Sequence, residues 1–155
     1  MEKPHLILLV DDSDDDAFFF DRAVKRVGLG IETRRARNGQ EAIDYLLGHG
    51  ASSDRTRFPM PDLIMVDLKM PVCDGFDFLI WKREQIPLMC IPAVVMTSSD
   101  LERDIRRSYE LGAHSFTTKV GNNEQLAERI CALREWWFEN VVSIIPTDFG
   151  TRGAT

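Results

Sequence analysis

The sequence predicts an α/β fold, in which one doubly wound, five-stranded parallel sheet is covered by helices on both faces. Short apolar runs and helical segments alternate five times along the chain, and this alternation implies right-handed crossovers between parallel strands. The first apolar run is continuous, as in a strand that is buried on both faces. The length of 155 residues fits one domain.

The first strand and helix follow from an apolar run and the helical pattern after it. Residues 6–10 are continuously apolar and predict a central strand. Residues 15–27 carry apolar side chains at helical spacing and end at Gly28, a common helix terminator. Residues 31–36 are short and partly charged, and they predict an edge strand with one face in solvent.

The rest of the chain continues the alternation after a polar loop. Residues 48–61 are rich in glycine, serine and proline, and they predict a surface loop too polar to join the core. Further strands are expected at 63–66, 93–96 and 115–118, and a short helix at 76–83. Three pairs have the spacing of a capping box and predict helix starts: Asn38 with Glu41, Ser99 with Glu102, and Asn122 with Gln125.

Composition argues against several classes of protein. The net charge of −6 argues against nucleic-acid binding, which needs a basic surface. The three cysteines lack CxxC spacing and indicate neither a disulfide framework nor a zinc site. No apolar run approaches the roughly 18 residues of a membrane span, and no secretory signal precedes the first strand. We therefore expect a cytoplasmic protein that binds neither nucleic acid nor membrane.

Chemically active side chains follow four of the predicted strands. Asp11 and Asp12 follow the first strand, Asp67 the third, Thr97 the fourth and Lys119 the fifth. Because the carboxyl ends of parallel strands share one edge of the sheet, these side chains are expected to converge. Carboxylates ligate Mg²⁺, whereas a hydroxyl and an ammonium stabilise phosphoryl oxygens. The sequence therefore predicts a site for Mg²⁺ and a phosphoryl group.

The clustered carboxylates should repel one another. Two like charges about 4 Å apart repel by roughly 4 kcal/mol at an effective dielectric constant of 20. We therefore predict that a carboxylate pKa of this cluster is raised when no cation is bound. The next three acidic residues, Asp14, Asp15 and Asp16, have a simpler interpretation as first-turn residues favoured by the helix dipole.

Four segments, LLVDDSDDD, DLIMVDLKMPVCDG, VVMTSS and SFTTK, resemble the receiver domains of two-component response regulators over about residues 5–135. The resemblance implies a flavodoxin-like fold with strand order 2-1-3-4-5. It also implies that a sensor histidine kinase transfers a phosphoryl group to Asp67 as an aspartyl phosphate, in a Mg²⁺-dependent reaction. The expected protein is a stand-alone response regulator that acts through protein contacts and is not a classical enzyme.

The resemblance also assigns the metal ligands. Asp12 and Asp67 would bind Mg²⁺ directly, and Asp11 would bind it through a water molecule. The backbone carbonyl of Lys69 would add one more ligand. Because Mg²⁺ usually keeps several waters, this small set of protein ligands suffices.

The remaining site residues would sense the phosphoryl group. By the same resemblance, Thr97 would donate a hydrogen bond to a phosphoryl oxygen and shift the loop after it, and Lys119 would form an ion pair with the group. Phe116 occupies the aromatic switch position of receivers but lacks a hydroxyl. It would act by ring packing alone, and an ordinary core phenylalanine is the alternative.

Val120 stands where most receivers have a proline joined through a cis bond to the preceding lysine. A cis bond at a residue other than proline costs about 2.5–4 kcal/mol. We therefore predict a trans bond between Lys119 and Val120, with a rearranged loop around it.

The chain continues as an aromatic and apolar segment beyond the length that a receiver needs. We expect a receiver domain over 1–140 and an extension over 141–155, composed of an interface segment and a disordered end. The segment would either fold back on the domain or form a homodimer. The expected interface residues are Trp136, Trp137, Phe138, Val141, Val142, Ile144 and Ile145. This ending resembles receivers associated with bacterial phytochromes and implies a bacteriophytochrome kinase as donor.

Other functions fit the site less well. Haloacid-dehalogenase-type phosphatases need a second aspartate two residues after the nucleophile, and Lys69 stands at that position. A flavin phosphate would be repelled by the acidic turn after the first strand. A pseudo-receiver that binds partners without phosphorylation remains an alternative, although none of the five site residues is missing.

Overall fold

The computed structural model describes residues 3–28 and 30–141. Within them, one parallel sheet has the strand order β2-β1-β3-β4-β5, as predicted. The strands are β1 (His5–Val10), β2 (Ile31–Ala36), β3 (Leu63–Val66), β4 (Ala93–Thr97) and β5 (Ser115–Thr118). The helices are α1 (Asp14–Val27), α2 (Gly39–Leu47), α3 (Gly75–Arg83), α4 (Glu102–Glu110) and α5 (Asn123–Leu133).

The sheet separates two apolar clusters, because neighbouring residues of a strand point to opposite faces. Leu8 of β1 packs in the cluster that contains Ala42 of α2 and Phe78 of α3. Ile7 packs in the other cluster, with Phe20 of α1 and residues of α5. This two-sided burial accounts for the continuous apolar run of β1 and confirms the doubly wound fold.

Side chains cap four of the helices, among them α3, where the Asp74 carboxylate accepts from the N–H of Asp77. Ser13 precedes α1, and its hydroxyl accepts a hydrogen bond from the backbone N–H of Asp16. The side-chain oxygens of Asn38 and Asn122 likewise accept backbone hydrogen bonds at the starts of α2 and α5. The capping box at α2 is incomplete, because the Glu41 carboxylate accepts from the N–H of Arg37 instead of that of Asn38.

The prediction that Ser99 and Glu102 form a capping box was wrong. Ser99 is buried just after β4, and its hydroxyl donates to the Asp104 carboxylate at 2.5 Å. Leu101 takes the N-cap position of α4 without a side-chain cap. The box fails because the serine hydroxyl already has a partner in the first turn of the helix.

The 48–61 loop is more firmly anchored than its composition predicts. It includes a short 3-10 turn, Gly50–Ser53, and its Met60 side chain is buried. Arg55 donates to the carbonyl oxygens of Tyr45 and Leu46 at 2.8 and 2.6 Å. The arginine thereby adds hydrogen bonds to carbonyls of the last turn of α2, where few later helical N–H groups are available.

The aromatic segment after α5 folds back on the domain. It continues the helix as a π-helix, Arg134–Asn140. Phe138 stacks on the ring of His5 with centroids 4.4 Å apart, and Trp137 meets His114 edge to face at 6.0 Å. Trp136, by contrast, is 59% exposed.

The remaining predicted interface residues lie near or beyond the end of this segment. Val141 is half-buried. Val142, Ile144 and Ile145 lie outside the described residues, as does the end of the extension that was predicted to be disordered. No helix in the described ranges is both long enough and apolar enough to span a membrane.

Candidate functional site

Three carboxylates meet at the carboxyl edge of the sheet. Oxygens of Asp11, Asp12 and Asp67 lie within 4.8 Å of one another. Asp11 and Asp67 are 3% and 7% exposed, whereas Asp12 faces solvent. Such a cluster of hard oxygen donors suits a divalent cation of the Mg²⁺ type. The structure thus brings together the three side chains that were expected to hold the metal.

The position of Asp67 is fixed by neighbouring backbone. Its N–H donates to the Val10 carbonyl at 2.9 Å, and its Oδ1 accepts from the N–H of Leu68 at 2.7 Å. Gly75, at the start of α3, lies so close that a Cβ there would be 2.2 Å from the Asp67 carbonyl oxygen. These contacts hold the carboxylate at the strand end and leave Oδ2 for other partners.

Lys119 lies at the centre of the carboxylates. Its Nζ is 2.8 Å from Asp67 Oδ2, 2.9 Å from Asp11 Oδ2 and 2.7 Å from Asp16 Oδ2. Burial lowers the pKa of Lys119, but the hydrogen bonds that the ammonium donates to the three carboxylates outweigh burial and raise the pKa above its usual value. The ammonium is therefore charged at neutral pH and partly neutralises the cluster.

The peptide bond between Lys119 and Val120 is trans, as predicted. The lysine N–H donates to the Thr97 carbonyl at 2.8 Å, which ties the start of this loop to β4. Lys119 thus reaches the carboxylates without the proline that follows the lysine in most receivers.

Asp16 is a site residue that the sequence did not reveal. It was interpreted as a first-turn residue favoured by the helix dipole, and it does lie in the first turn of α1. Its carboxylate also pairs with Lys119, 103 residues further along the chain. The sequence feature that could have revealed Asp16 is its position in the first turn of a helix that begins directly after the acidic end of β1. Three carboxylates therefore contact the ammonium, and a fourth, that of Asp12, lies within 4.8 Å of the Asp11 and Asp67 carboxylates.

The pKa of Asp11 is raised above its usual value. Burial is the largest cause; the N–H of Ser13 and the Lys119 ammonium lower the pKa, and the charge of Asp67 raises it slightly. The direction agrees with the raised carboxylate pKa that we predicted. The main cause differs, because desolvation contributes more than repulsion between carboxylates.

Thr97 and Phe116 lie on the strands next to the carboxylates. Thr97 is fully buried, and its hydroxyl has no hydrogen-bond partner among the described residues. An orphaned buried hydroxyl is costly, and a phosphoryl oxygen would supply the missing partner. Phe116 is half-buried against the core cluster beside α3, and its N–H donates to the Tyr109 hydroxyl at 3.1 Å. Lys69 is exposed in the turn after Asp67.

Comparison with known proteins identifies the family of this chain. Residues 7–131 match the sequence model of the response regulator receiver domain. The response regulator Rcp1 of Synechocystis is 33% identical over 138 residues, which cover 89% of this chain and 92% of Rcp1.

Solved structures of similar proteins agree with this match. The phosphorylated cyanobacterial phytochrome response regulator RcpA has a TM-score of 0.80 at 31% identity, over 90% of this chain and 98% of RcpA. The bacteriophytochrome response regulator AtBRR has a TM-score of 0.71 at 36% identity, over 88% and 96% of the two chains. With this fold, this site and these relatives, the chain belongs to the response regulator receiver domain family.

Proposed function

We propose that the protein receives a phosphoryl group on Asp67 from the phosphohistidine of a sensor histidine kinase and passes the signal on through protein contacts. The observation that carries this proposal is the contact of the Asp67 carboxylate with the Lys119 ammonium at a buried strand end. A carboxylate fixed by backbone and facing a cation is oriented for attack on phosphorus. As a phosphoacceptor, the protein would take part in its own phosphorylation and dephosphorylation without being a classical enzyme.

Phosphoryl transfer requires little activation of the Asp67 carboxylate as a nucleophile. An Asp67 oxygen attacks phosphorus, the bond from phosphorus to the histidine nitrogen breaks, and that nitrogen keeps the electron pair. Charge repulsion and alignment form the barrier, because the carboxylate and the phosphoryl group are both negative. Lys119 would exchange a carboxylate partner for a phosphoryl oxygen, and Thr97 would donate its orphaned hydroxyl to another.

We further propose Mg²⁺ as the cofactor of this site. Asp11, Asp12, Asp67 and the backbone carbonyl of Lys69 would hold the ion. The cation would supply positive charge where the site's own balance is four carboxylates to one ammonium. A Mn²⁺-bound form of Rcp1, 32% identical to this chain, supports a divalent cation at this kind of site.

The signal would leave the site through β4 and β5. Movement of the Thr97 hydroxyl toward the phosphoryl group would shift the loop to α4. Phe116 would then repack, and its backbone contact with Tyr109 links that movement to α4. The exposed output surface would therefore lie around α4 and β5.

Substitution of Asp67 by asparagine tests the acceptor. We expect one phosphoryl group per wild-type chain after incubation with acetyl phosphate and Mg²⁺, and none on Asp67→Asn, measured by intact mass spectrometry. Asp21→Asn is the matched control, because Asp21 pairs with Lys25 on the surface and is expected to leave labelling unchanged. Equal labelling of wild type and Asp67→Asn would remove Asp67 from its role. An unlabelled wild type would favour the pseudo-receiver.

We propose a bacteriophytochrome kinase as the donor and the cytoplasm as the location. The similarity to RcpA, Rcp1 and AtBRR supports the proposal, because RcpA is a phytochrome response regulator and AtBRR a bacteriophytochrome response regulator. A cytoplasmic location is consistent with a partner kinase that presents its phosphohistidine there.

We also propose that the receiver spans 1–140 and that the last helix, together with the 141–155 extension, forms a homodimer. Trp136 supports this proposal, because it remains 59% exposed beside the packed Trp137 and Phe138. We expect a dimer for the full chain and a monomer after truncation at Glu135, measured by sedimentation equilibrium. Trp136→Ala should also weaken the dimer, and it leaves the His5 and His114 ring contacts in place. A truncated chain that stays dimeric would contradict the proposal.

A further inference from the structure

A small cavity lies at the amino-terminal edge of the sheet, opposite the edge that carries Asp67. Its volume is about 140 Å³, which is room for roughly four water molecules. It opens between the ends of α3 and α4 and is lined by Leu79, Lys82, Arg83, Met89, Leu111, Gly112 and His114. Its titratable side chains are two cations and an imidazole, and no carboxylate lines it.

Lys82 is the unusual member of this lining. It belongs to the buried face of α3, on which the other buried residues are Gly75, Phe78 and Leu79. The lysine is only 4% exposed and forms no hydrogen bond or ion pair with any residue that the structure describes. A charge held largely away from water without a partner is costly, and an apolar residue at this position would avoid that cost.

The missing partner of Lys82 matters because this side chain is mostly charged at neutral pH. Burial lowers its pKa to about 8, and the neighbouring Cys90 opposes that shift only in part. At neutral pH the group is therefore still mostly protonated. A mostly charged ammonium in this position lacks a counter-ion among the described residues.

His114 and Arg83 complete a cationic lining. His114 Nδ1 accepts a hydrogen bond from the Ala93 N–H at 3.0 Å, so the proton of the neutral ring lies on Nε2 and can be donated. Partial burial, and then the nearby Lys82 ammonium, lower the pKa of His114. Arg83 is exposed and has no ion pair within residues 3–28 and 30–141. Three donors thus border one cavity.

We propose that this cavity binds a small inorganic oxyanion, phosphate or bicarbonate, between the Lys82 ammonium, the Arg83 guanidinium and the His114 imidazole. The anion supplies the counter-charge and the acceptor oxygens that Lys82 lacks. Bound anion also removes the repulsion between Lys82 and a protonated His114. The site is independent of the phosphoacceptor, since it lies at the other edge of the sheet.

The test follows the Lys82 and His114 signals by NMR in the full-length protein, with labelled lysine and without divalent cations. Phosphate and bicarbonate are titrated separately, and chloride of the same ionic strength serves as the reference. We expect a saturable shift of the Lys82 signals and a higher pKa for both groups with one or both oxyanions. An equal response to chloride, or no response to either oxyanion, overturns the proposal.

Matched variants locate the binding. Lys82→Met keeps the length of the stem in the core and is expected to weaken the binding monitored at His114 by about tenfold or more. Arg83→Gln should weaken it less, because Arg83 is exposed. Lys25→Met, on the surface of α1, and Asp67→Asn should leave it unchanged. Unchanged binding in Lys82→Met, or lost binding in Asp67→Asn, assigns the signal elsewhere and contradicts this site.

Discussion

Replacing Lys119 with methionine is expected to slow phosphorylation from acetyl phosphate by roughly 100-fold or more. It is also expected to lower the free energy of unfolding by about 3 kcal/mol in the absence of divalent cation. Both effects have one origin. The Lys119 ammonium contacts Asp11, Asp16 and Asp67, and the first and last of these are almost fully buried. Without the ammonium, buried carboxylates lose their counter-charge, and the incoming phosphoryl group loses a donor.

Urea unfolding and initial labelling rates measure the two effects. Mg²⁺ should stabilise Lys119→Met more than it stabilises wild type, because a ligand that neutralises the cluster binds only the folded chain. Lys25→Met is the control, since Lys25 pairs with Asp21 on the surface, where an ion pair contributes little. A Lys119→Met protein as stable as wild type at low Mg²⁺ would show that the carboxylates do not depend on this cation.

The sequence was sufficient for the features that follow from strand ends. Asp11, Asp12, Asp67 and Thr97 lie at the ends of apolar runs, Lys119 follows the short strand Ser115–Thr118, and parallel strands carry all such residues to one edge. The continuous apolar character of β1 likewise predicted its burial on both faces. These predictions need only the local hydrophobic pattern of the sequence and the right-handed crossovers between parallel strands.

Contacts between distant segments were not predictable in the same way. The pair of Asp16 with Lys119 joins α1 to the loop after β5, and nothing near Asp16 in sequence indicates this partner. Ser99 has the spacing of a helix cap, but its hydroxyl bonds to Asp104. Arg55 lies in a polar loop, yet it donates to the carbonyls at the end of α2. Asp16 has a partner distant in sequence and Ser99 one only five residues away, but in each case a specific hydrogen-bond partner overrides the preference that the local sequence expresses.

Two histidines also have partners that are distant in the sequence. His5 and His114 each contact an aromatic ring of the segment after α5. The aromatic segment was expected either to fold back or to cover a partner. Trp137 and Phe138 fold back, which confirms the first expectation for these two residues, whereas Trp136 remains exposed and belongs to the proposed homodimer interface.

Asp11→Asn should have opposite effects on stability with and without Mg²⁺. At low Mg²⁺ and neutral pH, the variant is expected to be more stable than wild type by on the order of 1 kcal/mol, because it removes a buried charge while Lys119 keeps Asp16 and Asp67 as partners. At saturating Mg²⁺, wild type should be the more stable protein, since the variant lacks a carboxylate that favours the ion.

The pKa of Asp11 determines how the stability difference between Asp11→Asn and wild type depends on pH. The pKa of Asp11 is raised in the folded protein, chiefly by burial, so the folded state binds this proton more tightly than the unfolded state. Stability is therefore lost as pH rises from the unfolded value of 3.8 to the folded pKa, and the cost is fully present above it. The advantage of Asp11→Asn at low Mg²⁺ should accordingly vanish as pH falls toward 3.8. Urea unfolding midpoints measured across this pH range test the prediction, with Asp21→Asn as the control. If the midpoints of wild type and Asp11→Asn change with pH in parallel, burial of the Asp11 charge costs nothing and the prediction is wrong.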